Sequence, residues 1–195
     1  RGLLESKRLL LKSGTIVDAT IIAAPTSTKN ADQSRDPEMH QTFKGKDWHF
    51  GMKAHVGTDP RGIVHSLVTT PANTSDISQM PHLLHGSERA VFGDQAYWSK
   101  EHRRAALSKG IRYRINRRPN QRPLSLHERA INRQRSATRA RGEHAFLVVK
   151  RLWGFSKVRY RGLAKNTARL FTAFALANLY LLRRRLMPTQ PKCLC

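Results

Sequence analysis

Acid is scarce in this chain. Of its 195 residues, 13 are Asp or Glu against 36 Lys or Arg, a formal charge of +23. Solubility alone calls for far less, so the balance points to a polyanionic partner. Anionic membranes or acidic proteins would also answer it, but the arginines run through a segment with apolar periodicity instead of collecting in one tail, which favours nucleic acid. Cysteine is almost absent: Cys193 and Cys195 are separated only by Leu194. Two such thiols are too few for a structural zinc site and too close for an ordinary disulfide, so they are expected to be free in a reducing cytoplasm. No apolar run is long enough to span a bilayer, which takes about 20 residues. The longest, 170–182, is interrupted by Thr172 and Asn178 and reads as a core or interface helix. No secretory signal opens the chain, and its first residue is Arg1, not Met, so the sequence is expected to begin inside a longer protein. Internal repeats are lacking, and the nine histidines show no two-ligand zinc spacing, His82 and His85 reading as helix surface.

What is present fits one main domain. Residues 14–24 are rich in β-branched side chains and end at Pro25, the pattern of a strand buried on both faces, with Asp18 in its middle. Residues 25–47 are polar and aperiodic and read as a surface loop. Residues 48–56 alternate, with Phe50, Met52, Ala54 and Val56 on one face and His49, Lys53 and His55 on the other. A turn at 58–62 leads to a third strand at 63–69, completing an antiparallel meander. A helix follows Thr74, Ser75 and Asp76, bent or shortened by Pro81. A short buried strand then ends in Asp94, a helix over 99–108 is closed by Gly110, and 111–115 forms a fifth strand. A helical stretch over 126–152, weakened at Gly142, carries Glu143, and a last helix covers 163–186.

Three carboxylates stand out. Asp18 lies in an apolar strand, where an ionised group is costly to desolvate unless it is paired or metal-bound. The alternative is an exposed or salt-bridged strand residue. Asp94 suits a strand-end turn or helix cap equally well. Glu143 sits in a basic field: between Lys100 and Arg161 the only other acids are Glu101 and Glu128. An i,i+4 pair with Arg139 would also account for it. The order strand, strand, strand, helix, strand, helix, strand, helix is that of a ribonuclease H-like α/β fold, a mixed five-stranded sheet whose first three strands are antiparallel. In that sheet the first and fourth strands adjoin, so Asp18 and Asp94 would converge. Clustered carboxylates repel unless a cation lies among them, and their oxygens suit Mg²⁺. Two such ions can activate an attacking oxygen and stabilise a leaving one at a phosphodiester. Helical spacing puts Arg139, Glu143 and Lys150 on one face within about 60°. Arg139 would steady the carboxylate and Lys150 hold a phosphate.

At these residues the chain resembles the DDE transposases of bacterial insertion sequences, in the insertion-sequence-four/five-like group with the signature Tyr-x2-Arg-x3-Glu-x6-Lys. Here the signature reads Ser136-x2-Arg139-x3-Glu143-x6-Lys150. Asp18 in Gly-Thr-Ile-Val-Asp-Ala-Thr and Asp94 in Val-Phe-Gly-Asp-Gln-Ala-Tyr are similar to the first and second carboxylates, and 48–57 and 70–76 add further likeness. The resemblance spans about residues 10–182 and implies a catalytic domain at 14–162, preceded by the remnant 1–13 of a missing N-terminal region. A helix at 163–186 would pack on that core and be followed by a tail, 187–195. It implies Asp18, Asp94 and Glu143 as catalytic and metal-binding residues with Mg²⁺, or Mn²⁺ in its place. The activity implied is strand cleavage at the transposon end followed by attack of the freed 3′-hydroxyl on target DNA. A homodimer on DNA and a cytoplasmic, nucleoid-associated bacterial location follow from the same likeness. Ser136 departs from the signature by standing where Tyr is usual, at the position expected to face DNA near the cleaved bond.

Further DNA contacts are expected from Arg117 and Arg118 in the basic loop 116–123 and from Lys53. For Lys53 and His55 a plain solvent-facing strand surface is the simpler reading. Trp153, Phe155 and Tyr160, set among basic residues, would either stack on unpaired bases or pack under the last helix. Competing functions are a DNA-binding transposase remnant without turnover, another basic nucleic-acid-binding protein, and a nuclease that cuts without joining.

Overall fold

The computed structural model describes residues 2–117, 119 and 123–187. A six-stranded mixed sheet forms its centre, built from β1 (Thr15–Ala23), β2 (His40–Lys44), β3 (Asp47–Thr58), β4 (Val64–Pro71), β5 (Ala90–Gly93) and β6 (Arg112–Ile115). The order is β2-β3-β1-β5-β6, with β4 also paired to β3. β3 runs antiparallel to β1, β2 and β4, while β5 lies parallel to β1 and β6 parallel to β5. This is the ribonuclease H-like arrangement that the element order implied. Its physical root is β1: Ile16, Val17 and Ile22 are fully buried, so the strand takes neighbours on both edges and cover on both faces.

The pleat separates two cores. Ile22 with Met52, Ala54 and Val56 of β3 faces α5 (Glu143–Phe146), a wide π turn at Leu147–Leu152, and α6 (Leu163–Leu186). Val17 and Val91 face the other way, onto α2 (Asp76–Leu83) and α3 (Lys100–Ser108). At the chain's start, α1 (Gly2–Ser6) brings Leu4 against Ile63 and Leu182, with Leu10 joining them.

Two expectations need correction. The sheet has six strands, not five, because part of the segment read as a loop pairs as β2 with β3. All of β2 except Thr42 is exposed, so it leaves no apolar period to read; a positive-φ Gly45 turn and the opposed rings of Phe43 and Trp48, 5.4 Å apart, define the hairpin. The helical stretch at 126–152 is segmented as well: α4 (Leu126–Arg139) tightens into a 3₁₀ turn at Ala140–Gly142, continues as α5, then widens into the π turn. A reciprocal capping box between Ser125 and Glu128 starts α4.

Asn178, which interrupts the apolar run of the last helix, docks α6 onto the sheet. Its Oδ1 accepts from the Val64 amide at 2.8 Å and its Nδ2 donates to the Val64 carbonyl at 2.7 Å. Replacing it by Ala orphans both backbone groups inside the protein, and Asn178→Ala is expected to cost about 3 kcal/mol of unfolding free energy in urea melts. A change below about 1 kcal/mol would mean that α6 is held by apolar packing alone.

Candidate active site

β1 and β5 share the register Ile16↔Phe92. Two residues further on, in parallel strands, lie Asp18 and Asp94, on the face that carries Ile16 and Phe92. Asp94 follows the last residue of β5 and caps a 3₁₀ turn at Gln95–Tyr97, its Oδ1 accepting from the Ala96 amide at 2.8 Å. The cap and the site positions are therefore one residue. Asp18 Oδ1 accepts from the Ala19 amide at 2.9 Å. Burial pushes the Asp18 carboxyl up to about 6; the Ala19 hydrogen bond and the Arg139 charge oppose this, while Asp94 and Glu143 add to it.

Glu143 reaches this face because Gly142 lets the helical run lie directly on the sheet. A Cβ at Gly142 would stand 3.0 Å from Ile16 Cγ2 and 3.3 Å from Thr58 Oγ1. Gly62, at φ +90°, gives the β3–β4 turn the same freedom, since a Cβ there would collide with the Arg141 carbonyl. Arg139 then spans the gap, with Nη1 3.5 Å from Asp18 Oδ2 and Nη2 3.3 Å from Glu143 Oε1. The i,i+4 pair expected of Glu143 is present, and the same guanidinium reaches the strand carboxylate. Among the described residues no three His, Cys, Asp or Glu side chains converge closely enough to hold a metal ion. The donors nonetheless suit a hard divalent cation: they are carboxylates, one carries uncompensated burial, and a cationic group already lies between two of them.

The other expected contacts divide. Lys150 does not face outward: it donates to Thr20 Oγ1 at 3.1 Å and the Ile21 carbonyl at 3.0 Å, and burial, with Lys44 adding to it, pushes its pKa down. The π turn intervenes between Glu143 and Lys150, so uniform α-helical spacing does not describe their relation. Ser136 accepts from Asn116 Nδ2 at 2.9 Å. Arg117 is exposed and pairs with Glu128 at 3.0 Å, whereas Arg118 lies outside the described residues, as do Cys193 and Cys195. Lys53 and His55 are not on a solvent face. Lys53 donates to the Thr74 carbonyl at 2.7 Å and pairs with Asp76 at 2.9 Å, and His55 is fully buried beside Thr70. Phe155 packs in the core, while Trp153 and Tyr160 stay partly exposed.

On the α2–α3 side of the sheet, Asp76 of α2 pairs with Lys53, and Tyr97 packs in the core. Tyr97 is almost fully buried, and burial followed by the charges of Asp76, Asp18 and Asp94 pushes its phenol well above the ordinary range.

Because the folded-state pKa of Asp18 lies above its ordinary 3.8, the fold loses stability as pH rises from about 4 through about 6. Asp18→Asn should therefore raise the Tm relative to the parent at pH 7.5 and show a smaller or no gain at pH 4. A gain that is larger at pH 4 would contradict the burial argument.

The family described as "Transposase DDE domain" matches residues 10–179. Among solved structures, one described as the cryoEM structure of a simian T-cell lymphotropic virus intasome in complex with PP2A regulatory subunit B56 gamma aligns at 17% identity, over 95% of this chain and 52% of that chain, with a TM-score of 0.37. That likeness is too weak to carry an argument, and this chain spans about half the length of that one. The family match covers β1 with Asp18, the end of β5 with Asp94 beyond it, and the helical run bearing Glu143, and on it the chain belongs to the transposase DDE domain family.

Proposed function

We propose that this chain is the catalytic domain of an insertion-sequence transposase of the four/five-like group, cutting DNA at the transposon end and joining the freed 3′-hydroxyl to target DNA. What supports this reading is that Arg139 links Asp18 of β1 to Glu143 of the helical run, while the β1–β5 register brings Asp94 beside Asp18 on the same face. Asp18, Asp94 and Glu143 would hold Mg²⁺ or Mn²⁺, which when bound supplies Lewis-acid stabilisation at the phosphodiester. The chain's own part is to hold those carboxylates rigidly: Asp94 through its cap on Ala96, Asp18 through the Ala19 amide, Glu143 through the close seating of Gly142. Arg139 balances the carboxylate charge and is near enough to contact a phosphate brought to them. Ser136, bound by Asn116, offers a small hydroxyl where the signature has a phenol. Joining two DNA ends favours a homodimer on DNA.

A second reading, a DNA-binding remnant without turnover, is favoured by one observation: among the described residues the carboxylates do not close to metal-binding distance. On the first reading, Asp18→Asn, Asp94→Asn and Glu143→Gln each lose cleavage and joining by at least about 100-fold while retaining salt-sensitive DNA binding. Activity persisting in any of the three sinks the assignment. Mg²⁺ at millimolar concentration should also raise the Tm of the parent chain and not that of Asp18→Asn. An equal rise in both, together with no cleavage by the parent, would support the remnant.

A further inference from the structure

β6 is an edge strand, and its side chains alternate sharply: Tyr113 and Ile115 turn into the α2–α3 core, while Arg112 and Arg114 turn to the opposite face. The register Phe92↔Arg114 places them on the face of Phe92 and Ile16, which two residues further along bears Asp94 and Asp18. α4 lies over this part of the sheet and contributes Arg135. Between helix and strand is a notch of about 210 Å³ lined by Phe92, Arg112, Arg114, Gln134, Arg135 and Thr138.

The notch is electrostatically unfinished. Among the described residues no acid pairs with Arg112, Arg114 or Arg135. Arg135 Nη1 donates to the Ile115 carbonyl at 2.6 Å, but its Nε is buried without a partner. Burial, then the charges of Arg114 and Arg117, push its pKa down. Guanidinium groups crowded in this way repel one another, and the fold gains nothing evident from placing them on one side of an edge strand. A bound anion reverses the balance, since each guanidinium offers several donors in a fork that matches phosphate.

We infer that Arg112, Arg114 and Arg135 form a DNA-phosphate-binding notch that holds the substrate backbone on the carboxylate face, away from the reacting bond. It rests on the proposal that the chain acts on DNA, and adds where the strand runs beyond the carboxylates. Arg114 lies two strands and two residues from Asp18 in backbone position. With strands about 4.8 Å apart and about 3.3 Å of rise per residue, that is on the order of 12 Å. At about 3.4 Å of rise per base pair, the notch engages phosphates three to four steps from the scissile one. Gln134 and Thr138, at its rim, add neutral donors.

The test is the salt dependence of binding to a duplex oligonucleotide, measured without divalent metal so that cleavage plays no part. Removing one arginine–phosphate interaction lowers the slope of log K against log salt by about 0.9, so Arg112→Gln/Arg114→Gln should lower it by about 1.8. Between 50 and 200 mM salt the parent's affinity advantage then shrinks about tenfold. Arg103→Gln/Arg104→Gln, which removes the same charge from the exposed surface of α3 on the opposite face, should leave the slope unchanged. Equal slopes for the two double variants overturn the inference. Displacement of the DNA by polyglutamate of matching charge, with the same sensitivity to Arg112 and Arg114, would assign the notch to acidic protein instead. Should the double variant melt below the parent, the exposed Arg112→Gln alone carries the test, with an expected slope change of about 0.9. Catalytic inactivity of the parent with the predicted slopes would remove the transposase proposal and keep the notch; normal activity with unchanged slopes would do the reverse.

Discussion

An ionised carboxylate on a central strand must have a cation beside it, and in this protein Arg139 is that cation. Burial alone drives Asp18 toward its neutral form, and the neighbouring Asp94 and Glu143 push the same way. Against them stand one amide hydrogen bond and one guanidinium shared between strand and helix. The balance leaves Asp18 with a pKa of about 6, within reach of physiological pH. A site in this condition is poised to accept further positive charge.

Everything that brings Arg139 to Asp18 depends on close backbone approach. Gly142 lies on Ile16 and Thr58, and Gly62 makes room for the Arg141 carbonyl, so the helical run is seated against the sheet at the level of Glu143. The segmentation into 3₁₀, α and π turns follows from holding both ends of that run: Glu143 at the carboxylates and Lys150 bonded to Thr20 and Ile21 of the same strand. Lys150 is thereby a tether between helix and strand, a role that its place in the signature did not disclose.

Much of the architecture was legible because the relevant signals are local. The β-branched run of β1, the alternation in β3, the Gly110 stop beyond α3 and the length of α6 each write their element into adjacent residues. Where the sequence misled, the deciding contact was distant. β2 is solvent-exposed and held by pairing with β3 rather than by its own pattern. Lys53 and His55 looked like a wet strand face because their partners, Asp76 and Thr70, arrive from α2 and β4. The arginines of β6 and α4 lie in separate elements and come together only when the helix crosses the strand.

The sequence by itself determined the charge balance and the order of elements: a basic chain with carboxylates on its first strand, at the end of its fourth predicted strand and on a helix, in an order that makes those two strands neighbours. Charge and periodicity belong to residue types and their immediate spacing, so they survive without coordinates. Only the tertiary structure decided which cation answers Asp18, that Lys150 and Lys53 are turned inward, and that the guanidinium groups of Arg112, Arg114 and Arg135 share one notch. Those outcomes depend on which side chains meet across the sheet, and such meetings are set by strand register and helix seating, neither of which any short stretch of chain encodes.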